Sequence, residues 1–185
     1  MLEDFRKKMW KRKLPDKIEK NTLIDLKEIK NKILKKENLI FGCLIIIIFY
    51  LDRISKIKIL EDFSDSTYFI NDFLNLNLIW NIGIGFGFLS TESGLLYNFI
   101  TFVIAAVLLV LFYFLLNSEI LDKIIYAVII GGALGNFYDR LFFKAVPDFI
   151  DLHYNNFHWF TFNVADIFIT IGILVFIIRG FWVKN

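Results

Sequence analysis

The sequence predicts an all-α membrane protein with four transmembrane helices and a small extracytoplasmic β-sheet. Three observations lead to this prediction. Apolar residues make up 57% of the 185-residue chain and the mean hydropathy is +0.58, both well above the values of ordinary soluble proteins. Several apolar runs approach the length that crosses a bilayer. One short segment alternates apolar and polar residues, as a half-buried strand does.

The first 37 residues form a basic head. They contain 13 Lys and Arg against 7 Asp and Glu, whereas the rest of the chain contains 8 against 12. Residues 22–36 place leucines and isoleucines near helical spacing with lysines between them. This suits either a helix on an anionic membrane surface or a solvated tail that fixes topology. We therefore predict a cytoplasmic extension over residues 1–37 and a membrane domain over residues 38–185.

Four spans are predicted, over about residues 38–60, 94–116, 120–137 and 162–181. The first apolar run is too short alone, so its helix must continue past the charged residues Asp52, Arg53 and Lys56. The second span has no charged residue. In the third, Gly131 and Gly135 form a GxxxG pair that allows a neighbouring helix to approach closely.

Between the first two spans the pattern changes. Leucines alternate with asparagines over residues 74–78, which predicts a strand of a small sheet outside the bilayer. A glycine-rich segment follows over residues 80–88 and is expected to turn tightly at the membrane interface. It does not fit a dinucleotide-binding loop, because Phe88 replaces the third glycine and no βαβ unit follows.

Polar residues converge on one side of the predicted bundle. Four spans put both termini together, and the positive-inside rule puts the basic head, Arg179 and Lys184 in the cytoplasm. The remaining polar residues then lie near the outer ends of the spans, where charges are costly and indicate function. They are Asp52, Lys56, Asn81, Asn136, Asp139, Arg140, Asp148, Asn163 and Asp166.

The chemistry of this outer site is expected to come from its carboxylates. No Ser or Cys is paired with a base, and there is no dense set of His and Cys ligands. His153 and His158 are either metal ligands or, as we favour, interface histidines without a metal. Two carboxylates brought close share one proton, so that one activates a water while the other protonates a carbonyl oxygen. We expect Asp166 inside the last helix and its partner in the preceding loop, with no cofactor and no metal.

A small membrane transporter or channel with an outward acidic vestibule is the alternative function. It would also place carboxylates at helix ends. However, it predicts polar residues across the bilayer midplane, and here the second span is almost wholly apolar and no inverted repeat is seen.

Several motifs together resemble lipoprotein signal peptidase (signal peptidase II), a family of bacterial aspartyl peptidases. GGALGNFYDR, VPDFID and FNVAD resemble three of its sequence boxes. Asn81-Ile82-Gly83 with Phe86-Gly87 resembles its NxGxxFG box, and Asp52 with Lys56 resembles the polar end of its first helix. The resemblance covers about residues 38–182.

The resemblance implies an enzyme of the bacterial cytoplasmic membrane with its active site at the outer face. Such an enzyme removes the signal peptide from diacylglyceryl-modified prolipoproteins, cleaving before the lipidated cysteine. It implies Asp148 and Asp166 as the catalytic pair. The positions that match substrate-binding or supporting residues are Asp52, Lys56, Asn81, Gly83, Asn136, Asp139, Arg140 and Asn163. The expected partners are prolipoprotein substrates and membrane lipid, with no nucleic acid, and the expected state is a monomer.

The sequence neighbours of the three aspartates also favour Asp148 and Asp166, rather than Asp139, as the catalytic pair. Asp139 is followed by Arg140 and has the Asn136 amide one turn back, which would favour its ionised form. Asp148 and Asp166 have apolar surroundings in sequence, which favour a shared proton. Two departures from the family pattern are Pro147, where a β-branched residue is usual, and residues 1–37, which have no counterpart.

Overall fold

The structure is a computed structural model that describes residues 26–63, 67–83, 94–155 and 157–182. The chain divides into two units, Met1–Leu39 and Ile40–Asn185. In the first unit, residues 26–33 form a helix within the predicted segment 22–36. Most of the predicted interface turn, residues 84–88, lies outside the described residues. All the residues of the candidate site belong to the second unit.

Four long helices match the four predicted segments: α1 (Lys36–Asp62), α2 (Gly94–Asn117), α3 (Ile120–Phe142) and α4 (Val164–Trp182). The third was expected to end at residue 137, but it continues to Phe142 and so carries Asp139 and Arg140 on its last turns. Among the described residues, α2, α3 and α4 are long and apolar enough to cross a membrane. The protein is therefore mostly helical, with three candidate membrane helices.

Helix α3 is the centre of the helical part. It contacts both α2 and α4, and it buries residues along most of its length. By contrast, α2 exposes large side chains such as Phe102 and Leu109, as a helix facing lipid does. The apolar core where α1, α2 and α3 meet consists of Phe41, Ile45, Leu108, Leu115, Ala127 and Ile130.

Glycines on α3 allow two neighbouring helices to approach closely. A Cβ on Gly131 would lie 2.8 Å from Cβ of Ile48 in α1. A Cβ on Gly132 would lie 2.5 Å from the backbone oxygen of Ala165 in α4. Both distances are below ordinary van der Waals contact, so a larger residue at either position would force the neighbouring helix to shift. The close packing predicted from the GxxxG pair is confirmed at Gly131, and also at Gly135, where a Cβ would overlap the Asp52 carboxylate of α1.

The β-sheet has four antiparallel strands in the order β1 (Tyr68–Asn71), β2 (Leu74–Asn81), β3 (Val146–Tyr154) and β4 (Phe157–Phe162). The strand predicted over residues 74–78 is confirmed as β2.

The prediction that the second aspartate lies in a loop is wrong, because Asp148 belongs to β3. Pro147 argues against a strand, but β4 pairs with β3 only from Ile150 onwards. At Pro147, the edge of β3 that faces β4 is therefore unpaired, and an unpaired edge tolerates proline.

Candidate active site

A single hydrogen-bond network connects all ten site residues that the sequence predicted. These residues come from α1, from β2 and the turn after it, from α3, from β3, and from the start of α4. Nearly all of them are buried. The ten residues are Asp52, Lys56, Asp139, Asn136, Arg140, Gly83, Asn81, Asp148, Asn163 and Asp166.

Asp148 occupies the β3 end of the network. Both of its carboxylate oxygens accept amide hydrogen bonds, Oδ1 from Asn163 Nδ2 at 2.6 Å and Oδ2 from Asn81 Nδ2 at 2.8 Å. Burial and the nearby Asp166 carboxylate raise the pKa of Asp148 to about 6, although the two amide hydrogen bonds oppose this shift. Asp148 is therefore a carboxyl group that takes up a proton far more readily than a free aspartate.

Asp166 lies in the first turn of α4 and is fixed by the residue that caps the helix. The Asn163 side-chain oxygen accepts the Asp166 backbone N–H at 3.1 Å, and Asp166 Oδ2 accepts the Asn163 backbone N–H at 3.2 Å. This is the reciprocal arrangement of a capping box. The other oxygen, Asp166 Oδ1, accepts a 2.8 Å hydrogen bond from Asn136 Nδ2. Helix capping and the position of this carboxylate are consequently determined by the same residues.

Three asparagines present amide donors to the two aspartates, and a fixed donor orients each of them. Lys56 Nζ has only N–H groups, so the oxygen of Asn136 must face it. In the same way, the Gly83 N–H binds the oxygen of Asn81, and the Asp166 N–H binds the oxygen of Asn163. The –NH₂ groups of all three must then point towards Asp148 or Asp166. The site is preorganised to hold two carboxylates.

Behind the asparagines lies a cluster of two cations and two anions, in which Lys56, Asp52 and Asp139 are buried and Arg53 is partly buried. Lys56 Nζ donates to Asp52 Oδ2 at 2.9 Å, to Asp139 Oδ2 at 2.7 Å and to Asn136 Oδ1 at 2.9 Å. Its three N–H groups are thereby all bonded. The spacing of four residues between Asp52 and Lys56 is also compatible with a surface ion pair, but both residues are buried. Opposite charges balance within the cluster, as a buried charge requires.

The two groups expected beside Asp139, the Arg140 guanidinium and the Asn136 amide, donate to other acceptors; the amide donates to Asp166. Arg140 follows Asp139 in sequence, but its guanidinium binds elsewhere. Asp139 is held instead by Arg53, which donates to Oδ1 at 2.6 Å and to Oδ2 at 2.8 Å in a bidentate pair. Arg53 also lies over the ring of Tyr138 at 4.9 Å. Sequence reasoning left Arg53 out of the site, although a charged residue inside a predicted span was a signal for it.

Asp52 connects this cluster to the start of α4. Its Oδ1 accepts the backbone N–H of Ala165 at 3.1 Å, a group that the helix itself leaves without a partner. The negative charge also complements the positive end of the α4 dipole. Gly135 of α3 faces the Asp52 carboxylate so closely that a Cβ at residue 135 would overlap it. Asp52 therefore fixes the end of α4 that carries Asp166.

Arg140 joins α3 to the turn after β2. Its Nη2 donates to the backbone oxygen of Gly83 at 2.9 Å, and its Nη1 donates to the backbone oxygen of Asn136 at 3.2 Å. Tyr97 of α2, which was not predicted, donates to the backbone oxygen of Arg140 at 3.1 Å. Within the described residues, Arg140 Nε is buried without a hydrogen-bond partner. Arg140 thus holds the turn that orients Asn81 towards Asp148.

An apolar cavity leads to this network. It has a volume of about 410 Å³ and lies between α2, α3 and α4. Its polar end is formed by Asn136, Arg140 and Asp166. Apart from Thr170, the rest of its wall is apolar, with Ile104, Leu108, Ala133, Ile169 and Ile173 among the lining residues. The arrangement can bring a largely apolar molecule against a carboxylate.

Comparison with known proteins gives a consistent result. A family model described as signal peptidase (SPase) II matches residues 44–182. The lipoprotein signal peptidase of Pelagibacter ubique (strain HTCC1062) is 44% identical over 158 residues, which cover 84% of this chain and 95% of that protein. The lipoprotein signal peptidase of Anaplasma phagocytophilum (strain HZ) is 41% identical over 145 residues, covering 75% of this chain and 90% of that protein.

Two solved structures of bacterial membrane enzymes, determined by the in meso method, have a similar fold. The structure at 2.3 Å resolution has a TM-score of 0.68 and 26% identity, and the match covers 78% of this chain and 89% of that one. The structure at 1.9 Å resolution has a TM-score of 0.65 and 27% identity, with coverage of 75% and 90%. None of these matches favours the transporter or channel alternative. Because the family model spans most of the chain, the protein belongs to the signal peptidase II family of aspartic-type peptidases.

Proposed function

We propose that this protein removes the signal peptide from diacylglyceryl-modified prolipoproteins by cleaving before the lipidated cysteine, with Asp148 and Asp166 as the catalytic pair. The observation that carries the proposal is the orientation of Asn81, Asn136 and Asn163, whose amide groups all donate to these two carboxylates. The named relatives are lipoprotein signal peptidases, which supports a prolipoprotein as the substrate.

In the proposed mechanism the two carboxyl groups hold one proton between them. The ionised member takes a proton from water as the water oxygen attacks the scissile carbonyl carbon. The protonated member gives its proton to the carbonyl oxygen, so a neutral tetrahedral intermediate forms. Collapse of the intermediate breaks the C–N bond, while a proton moves to the leaving amine and the dyad returns to its starting state. The raised pKa of Asp148, to about 6, supports a shared proton near neutral pH.

Asp139 is excluded from the dyad in this proposal. Its two oxygens accept hydrogen bonds from Arg53 and Lys56, and both of these groups are cationic. With both oxygens bound to these two cations, the Asp139 carboxylate has no free oxygen to present to a water or to a scissile carbonyl group. Asp139 is therefore assigned a supporting role, together with Asp52, Lys56 and Arg140.

The lipid part of the substrate is proposed to occupy the apolar cavity between α2, α3 and α4. The lining is suited to acyl chains, and its polar end at Asp166 would bring the adjoining peptide bond to the carboxylates. An unlipidated peptide would lose the contacts made by the chains. Lipidation is therefore expected to determine which peptides are cut.

The chain is a membrane protein with apolar helices, and we propose that α1 is its fourth span. Helix α1 exposes Ile46, Ile47 and Ile57 and buries Asp52 and Lys56, which is the reverse of a water-soluble helix. The proposed orientation has both termini in the cytoplasm and the sheet outside. Residues 1–37 are proposed to be a cytoplasmic extension, and the enzyme is proposed to act as a monomer in contact with lipid.

Orientation can be tested by labelling single cysteines placed at Asp62 and Asn155 with an impermeant thiol reagent, in a Cys43→Ser background. Both sites should react in intact cells. Reaction only after lysis would overturn the proposed topology.

The proposed activity can be tested by incubating the purified full-length protein with a diacylated prolipoprotein and, separately, with the same prolipoprotein lacking the diacylglyceryl group. Cleavage of the lipidated form alone, just before the modified cysteine, is the expected result. Asp148→Asn protein serves as the matched inactive control. Cleavage of neither substrate, or equal cleavage of both, would contradict the proposal.

A further inference from the structure

A second cluster of ionisable side chains lies on the β-sheet, outside the network of the candidate active site. It consists of Asp151 and His153 on β3 and His158 on β4. One potential ligand atom from each residue lies within 4.8 Å of the other two. From the sequence alone, His153 and His158 were expected to be interface histidines without a metal. The structure adds Asp151 as a third potential ligand.

Strand pairing brings these residues together. Asp151 and His153 are two residues apart on β3, and His153 is the direct partner of His158 across the β3–β4 ladder. The two imidazole rings are stacked, with centroids 5.3 Å apart and an angle of 23° between the planes. Asp151 Oδ2 lies 2.7 Å from His158 Nδ1. The pairing of β3 with β4 therefore sets the positions of the three residues, and their side chains are short.

Two atoms of the cluster lack the partners that buried polar atoms normally have. Asp151 and His153 are both buried. Within the described part of the chain, Asp151 Oδ1 and His153 Nδ1 make no hydrogen bond. Leaving a buried polar atom without a partner costs about 1–3 kcal/mol. A bound ion that accepts electron pairs from both atoms would remove this cost.

We propose that Asp151, His153 and His158 form a binding site for a divalent transition metal, of which Zn²⁺ is the representative. Two imidazole nitrogens and one carboxylate oxygen are common zinc ligands, at distances of about 2.0–2.2 Å. Such bonds place ligand atoms about 3–4 Å apart, so the cluster has to contract slightly around the ion. His158 is the exposed member and can make this movement. Water would fill the remaining coordination position.

The site is distinct from the proposed catalytic pair. Asp151 follows Asp148 by three residues, so the alternation of a strand directs the two side chains to opposite faces of the sheet. Both oxygens of Asp148 are also already bonded to asparagine amides. The metal is therefore assigned a structural role, in which it ties β4 to β3.

The proposal can be tested by titrating Zn²⁺ into the full-length protein in detergent, prepared without a histidine tag and in a Cys43→Ser background. Cys43 is replaced because it is an exposed thiol. Calorimetry should give one bound ion per chain, and thermal unfolding should shift to higher temperature with Zn²⁺. His158→Ala, a change at the exposed position, should weaken binding at least about 10-fold and abolish the thermal shift. Asp151→Asn should weaken binding similarly.

Asp148→Asn in the same background is the matched control and should bind Zn²⁺ as its parent does. Absence of saturable binding would overturn the proposal and leave Asp151 and His158 as a simple hydrogen-bonded pair. Equal binding by His158→Ala would also overturn it. Loss of binding in Asp148→Asn, with retention in His158→Ala, would move the ion to the candidate active site. None of these measurements depends on peptide cleavage.

Discussion

The side-chain amide of Asn163 donates a 2.6 Å hydrogen bond to Oδ1 of Asp148. The oxygen of the same amide caps α4 by accepting the Asp166 backbone N–H. Asn163 therefore has two separable functions, one in helix capping and one in holding a carboxylate. Different substitutions of this residue should affect the two functions differently.

Asn163→Asp should retain the cap but lose the amide donor. Aspartate is as good an N-cap as asparagine, whereas its charge would repel Asp148. We expect cleavage of a diacylated prolipoprotein to fall by about 100-fold or more, the scale of losing one preorganised donor. Asn163→Ala removes both functions and should also lower the free energy of unfolding by about 1 kcal/mol. Cleavage and thermal unfolding measured on both variants test this separation, and wild-type turnover in Asn163→Asp would contradict it.

Substitution of three aspartates should give two different results. Asp148→Asn and Asp166→Asn should each reduce cleavage by about 10³-fold or more while the protein remains folded, because each removes a proton-transfer group. Asp139→Asn should instead destabilise the protein by about 3–5 kcal/mol, because Arg53 and Lys56 lose a buried anionic partner. Turnover per folded molecule and thermal unfolding are the two measurements. If folded Asp139→Asn were inactive while Asp148→Asn had normal turnover, Asp139 would replace Asp148 in the dyad.

Stability should depend on pH through Asp148. Folding raises its pKa from 3.8 to about 6, so the folded state binds this proton more tightly than the unfolded state. The resulting stabilisation is complete below the unfolded pKa and is lost as the pH rises through about 6. A difference of this size corresponds to about 3 kcal/mol. Unfolding of wild type and Asp148→Asn should be measured from pH 4 to pH 8.

The wild type should become less stable relative to Asp148→Asn across this range. The informative quantity is the slope of this stability difference with pH. In Asp148→Asn, the side chain has an –NH₂ donor in place of one carboxylate oxygen, and this donor faces the amides of Asn81 and Asn163. The mismatch changes the stability of the variant by the same amount at every pH. A stability difference that stays constant with pH would contradict the raised pKa.

Gly132→Ala should disrupt the contact between α3 and α4. Its Cβ would lie 2.5 Å from the backbone oxygen of Ala165, and backbone cannot rotate away. We expect a loss of about 1–3 kcal/mol in stability, the usual cost of overpacking, together with reduced cleavage because Asp166 is adjacent. Gly42→Ala is the matched control, since a Cβ there meets nothing within 4 Å. That change should leave the protein as stable as wild type or slightly more so. Equal behaviour of the two variants would contradict the packing argument.

The sequence predicted the helices well and the sheet poorly, for a physical reason. Membrane helices are recognised from local composition, whereas a strand depends on partners far away in sequence. Proline is unfavourable inside a strand, and only the short overlap of β3 with β4 shows why Pro147 is tolerated beside Asp148. The aromatic sequence of β4 has no clear alternation, so it gave no strand signal.

The candidate site residues were identified through sequence motifs, but their partners were not. The neighbour of Asp139 in sequence is Arg140, whereas its neighbour in space is Arg53, which lies 86 residues earlier. Such a pairing follows from how α1 docks on α3 and cannot be read from either segment alone. The orientation of the three asparagines was likewise invisible, because it depends on which fixed donor meets each oxygen.

The buried ammonium group of Lys56 constrains the order in which the chain is assembled in the membrane. Two of its three acceptors, Asn136 and Asp139, are on α3, and Asp139 lies 83 residues further along the chain. Asp52 on α1 itself balances one of the two cations Arg53 and Lys56, but the second counter-charge, Asp139, is made long after α1. A bilayer strongly disfavours the cation that is left unbalanced in the meantime. In the proposed topology, we therefore expect the charged half of α1 to stay at the aqueous surface until α3 has been made. If α1 is the fourth span, as proposed, it completes its insertion only when α3 arrives.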